Sequence, residues 1–595
     1  MANINNASSD NDMSWKTALK ERDDLNKFGS NKIGLFALAL KFSLEDLEGI
    51  GTASIVDGSG DKKNDLIYID EESHTAVVIQ AHESKSRKSI APSNKASDLN
   101  TAITWLLNMP ESDLPLGIKA HAIRLREGIK TNMISNLYVW YVHNCTESKN
   151  VEDELSAVKH TLAHALKVNF PNSNMTTFVS EIGNSMLSTW YQETQSPIAV
   201  NDTFEFDCDD GYETKGNDWS SFVSFLPAQK LHAIYRDKGV KLFSANIRDY
   251  LGARSSHTNI NNSIQRTLIQ NPENFWVFNN GLTILTHKFK FDKINKKLTV
   301  TGLAIVNGAQ TTGAIGSLDN LPSIEAKVPV RYVAVKGGNR ELIQEIVRYN
   351  NSQNQVTAAD FRSTDSIQRR LRDEVSKIKD AEYEGGRRGG ISSVIKRRPF
   401  LLPSFTVGQA IASFHGQPSV AYNKKSDIWN NDATYSEFFN EKTTGAHLVF
   451  CYSLLKAIEQ NKSLLIEKSH SQTELTKLEQ GRLDFYRLPS SIFVYMNAIS
   501  KALETILGRS ISDYFTLSFG TQTTPKKAIV NWSLIVGATA PLTPILSRAI
   551  STGLSKVNID DGIQNFIQQV DISADNQFLT FDKFKKLIRN STASK

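Results

Sequence analysis

The first 200 residues alternate short apolar runs with segments of helical periodicity, and this alternation limits the possible folds more than any other feature. Helical patterns lie near 97–108 and 152–168. The apolar runs have the length and the aromatic and β-branched content of strands, and they are DLIYID (65–70), AVVIQAH (76–82), LYVWYVHN (137–144) and MTTFVSEIG (175–183). Strands that alternate with helices predict an α/β domain with a central sheet.

The length of the chain argues against a single hydrophobic core, because 595 residues exceed the size at which one core stops growing. We therefore predict a multidomain α/β protein. Its expected parts are a polar N-terminal segment, an α/β domain, a second mixed α/β domain and a mainly α-helical C-terminal region, at residues 1–29, 30–225, 226–400 and 401–595.

The expected second domain has longer β segments than the first. LTILTHKFKF and KLTVTGLAIVNG flank DKINK and predict a hairpin, and ELIQEIVRYNN repeats apolar positions with helical spacing. Further along, Ser363 or Thr364 is expected to cap a helix over IQRRLRDEVSKIKDAE. Asp365 suits the positive end of that helix dipole.

Charge, cysteines and apolar runs favour a soluble protein of the cytoplasm. Lys and Arg exceed Asp and Glu by 68 to 63, a mild excess that is compatible with nucleic acid but does not establish binding. The three cysteines lack CxxC spacing, so neither a disulfide framework nor a zinc ribbon is expected. The polar N-terminus has no signal-peptide pattern.

The apolar run at 528–546 contains two prolines and predicts a buried helix that breaks before Pro541.

Four stretches carry a family resemblance: LFSANIRDYLG (242–252), NPENFWVFNNGLTIL (271–285), AIVNGAQTTGAI (304–315) and RYNNSQNQVTAADFRSTDSIQRRL (348–371). In order and spacing they resemble the AIPR family, the abortive infection phage resistance proteins of bacteria. The resemblance implies antiviral defence, often beside restriction and modification systems. It also implies an N-terminal half that is similar, in many relatives, to restriction-type nucleases.

The strand pair at 65–82 resembles the site of PD-(D/E)xK nucleases, including the Mrr-like branch. The resemblance implies a restriction-endonuclease-like N-terminal domain that holds Mg²⁺ through Asp65 and Gln80, with Glu45 or Glu48 as a further ligand. Hard oxygen ligands on adjacent strands suit this ion, which lowers the pKa of its bound water and stabilises charge on phosphate.

The sequence departs from that pattern at the position of the lysine, where His82 stands. Side chains at 80 and 82 face the same way because the strand period is two. Near pH 7 an imidazole carries less positive charge than Lys, so transition-state stabilisation is expected to weaken. Lys85, three residues further on, is a candidate substitute. Cutting, binding without cutting, and a purely structural strand pair all stay open.

The central motifs contain amides at turns. Asn279 and Asn280 precede Gly281 in the first turn, and Asn307 precedes Gly308 and the stretch AQTT in the second. The second is predicted to be a strand-to-helix turn, which presents backbone N–H groups to an anion. Candidate ligand or nucleic-acid contacts are therefore Asn279, Asn280, Asn307, Gln310, Thr311, Asn350, Asn351 and Gln353. An internal polar network that locks these loops is the alternative.

Basic residues supply a further candidate surface. Arg248 accompanies the family pattern in NIRDYLG, although an ion pair with a neighbouring acid would explain it equally well. The glycine-rich stretch EGGRRGGISSVIKRRPF carries Arg387, Arg388, Lys396, Arg397 and Arg398. Such a loop can follow a phosphate backbone, and a solvated surface loop is the alternative.

Two functional hypotheses follow. The first is a Mg²⁺-dependent endonuclease of phage defence. The second is a catalytically degenerate nuclease-like protein that binds nucleic acid or a phage-derived trigger and signals through a companion defence protein. Nucleic acid is the expected partner, with DNA favoured over RNA, and the second hypothesis adds a phage-derived trigger as the alternative. No membrane partner is expected. Assembly into a homo-oligomer stays open.

Overall fold

The structure is a computed structural model. It describes residues 14–42, 44, 46–56, 60–71, 73–84, 90–195, 198, 200–243, 258–318, 326–351, 362, 365–385, 398–470, 474–488, 490–551 and 556–590.

A four-stranded sheet organises the N-terminal part of the chain, as the alternation of strands and helices predicts. Its strands are β1 (Leu66–Asp70), β2 (Thr75–His82), β3 (Asn136–His143) and β4 (Thr176–Ile182). They lie in the order β1-β2-β3-β4, with β1 antiparallel to β2 and the remaining pairs parallel. The accompanying helices are α1 (Ser14–Lys20), α2 (Lys32–Phe42), α3 (Leu47–Ser54), α4 (Ser93–Leu107), α5 (Leu116–Lys130), α6 (Lys149–Asn169) and α7 (Asn184–Gln195).

The two faces of this sheet bury different hydrophobic clusters, because strand side chains alternate between faces. Val77, Ile79 and Trp140 belong to the cluster that includes α2. Val78 and Val139 belong to the cluster that α4, α5 and α6 cover. Gln80 and His82 share the face of Val78, so both point toward the layer formed by α4 to α6.

A seven-stranded sheet follows, formed by β5 (Val200–Asp207), β6 (Tyr212–Lys215), β7 (Trp219–Pro227), β8 (Leu282–Thr286), β9 (Lys288–Asp292), β10 (Lys297–Asn307) and β11 (Lys327–Val335). Its order is β5-β10-β8-β11-β7-β6, with β9 paired to β10. Only the pair β8–β11 is parallel among these strands. Around it lie α8 (Ala228–Lys238), α9 (Thr258–Gln270), α10 (Phe275–Phe278), α11 (Ala309–Gly316) and α12 (Arg340–Asn351).

The predicted hairpin around DKINK is confirmed. Strand β10 pairs antiparallel with β9 from Lys297 opposite Asp292, and continues antiparallel to β8. The helix predicted over ELIQEIVRYNN is confirmed as α12. The expected boundary at residue 225 falls inside β7, and β5 to β7 pair within the second sheet. That sheet therefore extends across the boundary.

The remainder of the described chain is mainly helical, as predicted. Its helices are α13 (Ser366–Ser376), α14 (Ser404–Phe414), α15 (Pro418–Asn423), α16 (Asp427–Asn430), α17 (Asp432–Phe438), α18 (Gly445–His470), α19 (Lys477–Tyr486), α20 (Ser491–Lys501), α21 (Leu503–Leu507), α22 (Pro525–Thr539), α23 (Ser547–Ser551), α24 (Lys556–Ile572) and α25 (Phe578–Lys585). Two short strand pairs join β12 (Glu382–Tyr383) to β13 (Leu401–Leu402) and β14 (Leu517–Ser518) to β15 (Arg589–Asn590).

Local capping and short 3-10 helices complete the elements. Asp365 itself caps α13, because its side chain accepts the N–H of Ile367; Ser363 and Thr364, the expected caps, lie outside the described residues. The 3-10 helices are Asp23–Asn31, Glu111–Asp113, Gly239–Phe243, Pro272–Asn274, Lys336–Gly338, Tyr514–Thr516 and Ala540–Leu546.

One helical segment of the described chain, Pro525–Ile550, is long and apolar enough to cross a membrane by length and composition alone. Its α-helical part, α22, ends at Thr539 and gives way to a 3-10 helix, so the break predicted before Pro541 is confirmed. Trp532 is fully buried, and its ring N–H donates to the Phe450 carbonyl at 2.9 Å. These contacts are those of a core helix in the helical region.

Candidate functional site

Asp65 and Gln80 contact each other at the edge of the N-terminal sheet. The Gln80 Nε2 donates to Asp65 Oδ2 at 2.7 Å, and the backbone N–H of Ala81 donates to the same oxygen at 2.6 Å. The Asp65 N–H donates to the Ile79 carbonyl at 3.1 Å and extends the pairing of β1 with β2. Both side chains are buried, with 9% of Asp65 and 2% of Gln80 exposed. Strand pairing therefore fixes the carboxylate beside the amide.

The oxygen of the Gln80 side-chain amide is the strongest indication of a ligand at this position. Gln80 Oε1 is buried and has no hydrogen-bond partner among the described residues. A buried acceptor without a donor costs about 1–3 kcal/mol, and a cation beside it would remove that cost. Carboxylate and amide oxygens are the ligands that hard divalent cations prefer. The Asp65 carboxylate and the Gln80 amide oxygen thus fit two ligand positions of one Mg²⁺-type ion.

Glu45 and Glu48 are the candidates for a third ligand of this ion. Glu48 lies on α3 and forms a 2.6 Å ion pair with Lys27. Its charge also acts on Lys456 of α18, on the side that faces the helical region. Glu45, the alternative, lies outside the described residues. The ion pair with Lys27 gives no support to Glu48 as a metal ligand, and that assignment stays a prediction.

Asp98 is a further acid on this side of the sheet, and no sequence pattern singled it out. It lies on α4, which covers the same face of the sheet as Gln80, and it pairs with Lys63 at 3.4 Å. Burial raises the pKa of the Tyr141 phenol, and the charges of Cys145, Glu181, Asp65 and Asp98 raise it further. Asp65 and Asp98 thus both lie close enough to act on one phenol.

Polar residues lie at the carboxyl-terminal ends of the three parallel strands, β2, β3 and β4. Gln80 stands opposite Tyr141, which stands opposite Glu181 on β4, and His82 stands opposite His143. Ligands of α/β sheets bind beyond the carboxyl ends of parallel strands. A signal for Tyr141, His143 and Glu181 was available, because they end the predicted strands LYVWYVHN and MTTFVSEIG.

Hydrogen bonds fix the tautomer of His143. Its Nδ1 accepts the backbone N–H of Cys145 at 3.3 Å, so the proton of the neutral ring is on Nε2. Nε2 lies 2.9 Å from Glu181 Oε1 and donates to it. The Ser148 N–H also donates to this carboxylate, at 3.3 Å. His143 is fully buried, and these hydrogen bonds fix the orientation of its ring.

His82 occupies the place where the nuclease resemblance expects a lysine. It is half-buried at the end of β2, on the face of Gln80 and beside His143. Lys85, the possible substitute, lies outside the described residues.

The two central turns contact each other. The Asn279 side chain accepts the Gly281 N–H at 3.0 Å and the Thr311 hydroxyl at 3.3 Å. Gly281 and Gly308 have φ values of +75° and +94°, which L side chains rarely adopt. A methyl group at Gly308 would lie 2.8 Å from the Gly281 carbonyl oxygen. Close approach and backbone conformation both require glycine here.

Part of the predicted ligand set forms an internal network instead. Asn307 Nδ2 donates to the Asn350 carbonyl at 3.1 Å, and Asn350 Nδ2 donates to the Ile346 carbonyl at 2.8 Å. Arg331 donates to the Asn350 side-chain oxygen and to the Thr283 hydroxyl. Asn307 and Asn350 therefore lock strand ends to α12.

Asn280 and Gln310 differ from those amides. Asn280 is exposed and Gln310 is half-exposed, and neither side chain has a hydrogen-bond partner among the described residues. They lie on the two turns that contact each other. Among the described side chains of the predicted central set, these two amides are available to a ligand.

Most of the basic residues predicted to contact nucleic acid lie outside the part of the chain that the structure describes. Gln353, Arg248, Arg387, Arg388, Lys396 and Arg397 lie outside the described residues, as does the side chain of Asn351 at the end of α12. Arg398 is described, and its guanidinium pairs with both Glu382 and Glu384. Two carboxylates neutralise it, so the reading of Arg398 as a phosphate contact is not supported by its surroundings.

Comparison with known proteins gives one family. The model of the family described as AIPR protein matches residues 243–506. No curated protein and no solved structure matches the chain. The matched segment includes the central turns and much of the helical region, and it supports the resemblance read from the four motifs. It begins after Asp65 and Gln80.

Proposed function

We propose that this chain, whose residues 243–506 match the AIPR family, acts in bacterial defence against phage and that its N-terminal sheet binds a divalent cation and nucleic acid at Asp65 and Gln80. The family match supports the context of defence. The buried Oε1 of Gln80, which no described residue contacts as a donor, lies beside the Asp65 carboxylate and supports the site.

The chemistry follows from the groups at this edge. Asp65 and Gln80 would hold Mg²⁺, which when bound supplies an activated water and offsets charge on phosphate. The Ala81 N–H orients the Asp65 carboxylate. Glu181 accepts the hydrogen bond from His143 Nε2 and orients the ring. The His82 imidazole can donate or accept a hydrogen bond, which suits a group that orients water near a phosphate.

The central turns would contact the nucleic acid or the trigger. Asn280 and Gln310 offer side-chain donors and acceptors that have no partner within the described part of the chain, whereas Asn279 and Thr311 hold the turns in place. Amide side chains at such turns can bond to phosphate or to base edges. A phage-derived trigger or a companion defence protein would act through this region or the helices that follow it.

One observation favours a second function, namely binding without cleavage. His82 stands where PD-(D/E)xK nucleases, which the strand pair resembles, carry lysine. An imidazole offers less positive charge for the transition state. In that case the site holds nucleic acid, and the output passes to a partner. Affinity would then fall steeply with salt, as phosphate contacts require.

The test is a cleavage assay on plasmid, linear DNA, single-stranded DNA and RNA, with Mg²⁺ or Mn²⁺ compared with EDTA. Metal-dependent cutting that is lost in Asp65→Ala and kept in Glu48→Gln supports the nuclease function. Binding without cutting by the wild type supports the second function. Cutting that is equal in wild type and Asp65→Ala contradicts the assignment of the site.

The defence role has a separate test. Bacteria that express the wild-type chain should reduce phage plating, and Asp65→Ala should lose that protection. Equal plating on cells with and without the chain, over a broad phage panel, would contradict it.

A further inference from the structure

Two histidines and a cysteine meet inside the helical region. His415 directly follows α14, and His447 and Cys451 lie one turn apart on α18. The Nε2 atoms of the two histidines are 2.9 Å apart, and Cys451 Sγ is 3.4 Å from His447 Nε2. All three potential ligand atoms lie within 4.8 Å of one another. Distant parts of the chain thus bring three metal-binding groups to one point.

The hydrogen bond at the far side of His447 orients its ring for a ligand role. His447 Nδ1 lies 2.8 Å from the Leu517 carbonyl oxygen, which can only accept, so Nδ1 carries the proton. The lone pair of Nε2 therefore points at His415 and Cys451. Metal-binding histidines usually donate their second ring N–H in this way, which fixes the tautomer and the ring orientation.

The surroundings are compact and aromatic. His447 is fully buried, and 1% of Cys451 is exposed. The ring of His415 stacks on Phe515 with centroids 3.9 Å apart, and Phe414 packs edge-on against both imidazoles. Such a shell limits access of water and holds the ligands at fixed positions.

We propose that His415, His447 and Cys451 bind a zinc-type transition-metal ion through their two Nε2 atoms and Sγ. Imidazole and thiolate suit Zn²⁺ and disfavour Mg²⁺, which requires oxygen ligands. Three protein ligands leave a fourth position for water or another group. With Zn–N bonds of about 2.0–2.1 Å in a tetrahedron, the two nitrogens move apart by only a few tenths of an ångström.

Proton balance accompanies binding. The Cys451 thiol releases its proton to solvent as the Zn–S bond forms. His415 shifts its ring proton from Nε2 to Nδ1, while His447 keeps its proton on Nδ1. One proton leaves for each ion bound, so affinity should rise with pH.

The ion would join three elements of the helical region. It would tie the end of α14 to α18 and, through the carbonyl of Leu517, to β14. This site is separate from Asp65 and Gln80 and does not depend on the proposed function. Its expected role is stabilisation of the fold, because an ion that binds only the folded state raises stability by mass action.

The test uses the full chain, stripped with a chelator and reloaded with Co²⁺ or Zn²⁺. Co²⁺ should produce a sulfur-to-metal charge-transfer band that Cys451→Ser lacks. Cys208→Ser is the matched control, because Cys208 is also buried and contacts Ser224 rather than a histidine. Absence of the band in folded wild type, or an equal band in Cys451→Ser, would overturn the proposal.

A second variant covers the case in which Cys451→Ser fails to fold. His415 is only partly buried, so His415→Asn should fold. It should lower Zn²⁺ affinity by at least about tenfold and reduce the rise in melting temperature that Zn²⁺ causes. Unchanged Zn²⁺ affinity in this variant would contradict the site.

Discussion

Asp46 and Lys456 form an ion pair that joins the N-terminal sheet region to the helical region across 410 residues of chain, with Lys456 Nζ 3.0 and 2.7 Å from the two carboxylate oxygens. Asp46 also caps α3 by accepting the Gly49 N–H, and it accepts the Thr406 hydroxyl. Burial alone would raise its pKa, but the Lys456 charge and these hydrogen bonds outweigh burial and lower it. A carboxylate with so many donors is a strong structural link.

Replacing Asp46 with Asn should lower the free energy of unfolding by about 3 kcal/mol, because it leaves the buried Lys456 without that partner. Chemical denaturation measures the change. Glu48→Gln, on the same helix, is the control. Its pair with Lys27 keeps about 30% of each side chain exposed, so its loss should cost less than about 1 kcal/mol. Equal effects of the two variants would contradict the importance of the buried pair.

Acid should destabilise the fold through His121. This residue lines a cavity of about 130 Å³ between α5 and helices α18 to α20. Burial lowers its pKa from 6.5 to about 4, with the charges of Lys462 and Arg124 adding to the shift and the Ala53 carbonyl opposing it. Between these values the unfolded chain takes up a proton that the folded chain does not. The free energy of unfolding should therefore fall as pH drops from 6.5 to about 4.

His121→Gln should remove that contribution while keeping a donor for the Ala53 carbonyl. Between pH 6.5 and about 4, the free energy of unfolding of this variant should fall by about 2 kcal/mol less than that of the wild type. This value allows for the partial exposure of the His121 ring. The two curves should be parallel above pH 6.5. Parallel curves at all pH values would show that His121 is not held neutral.

Gly308→Ala should lower stability by about 2–4 kcal/mol, because a positive φ and a close contact add together. The new methyl would lie 2.3 Å from Leu282 Cδ2. Gly337→Ala is the matched control, since its φ is +64° with no atom within 4 Å of the methyl. It should cost only about 1 kcal/mol. A similar melting temperature for both variants would mean that the two central turns do not pack closely.

Alanine variants of Asn279 and Asn280 should distinguish a residue that stabilises the turns from one that contacts a ligand. Asn279→Ala removes the acceptor for Gly281 and Thr311 and should cost about 1 kcal/mol of stability. Asn280→Ala and Gln310→Ala remove no internal bond and should change stability by less than about 0.5 kcal/mol. Reduced affinity for nucleic acid or trigger in these stable variants would identify the contact surface. Full affinity in both would leave the turns a structural role only.

The sequence predicts the first sheet well because the strands bury one or both faces and read as apolar runs. Once β1 and β2 pair as a hairpin, Asp65 must lie beside Gln80, so that contact was predictable. The predicted alternation omits α5, although Ile118, Ala122, Leu125 and Ile129 recur there with helical spacing.

The remaining site residues depend on tertiary structure. Glu48 pairs with Lys27, and its charge acts on Lys456 of α18. Asp98 comes to the sheet only because α4 packs across it, and His415 meets His447 only after α14 packs on α18. Contacts between distant elements leave no local periodicity, which is why the sequence pattern did not show them.

The most direct test is the effect of Mn²⁺ on nucleic-acid affinity, compared for wild type, Asp65→Asn and Glu48→Gln. Asparagine keeps an oxygen for the Ala81 N–H, so the strand pairing should survive. Mn²⁺ should tighten binding by wild type and Glu48→Gln by about tenfold or more, and should have no such effect on Asp65→Asn. An equal gain in Asp65→Asn would contradict a cation site at Asp65 and Gln80.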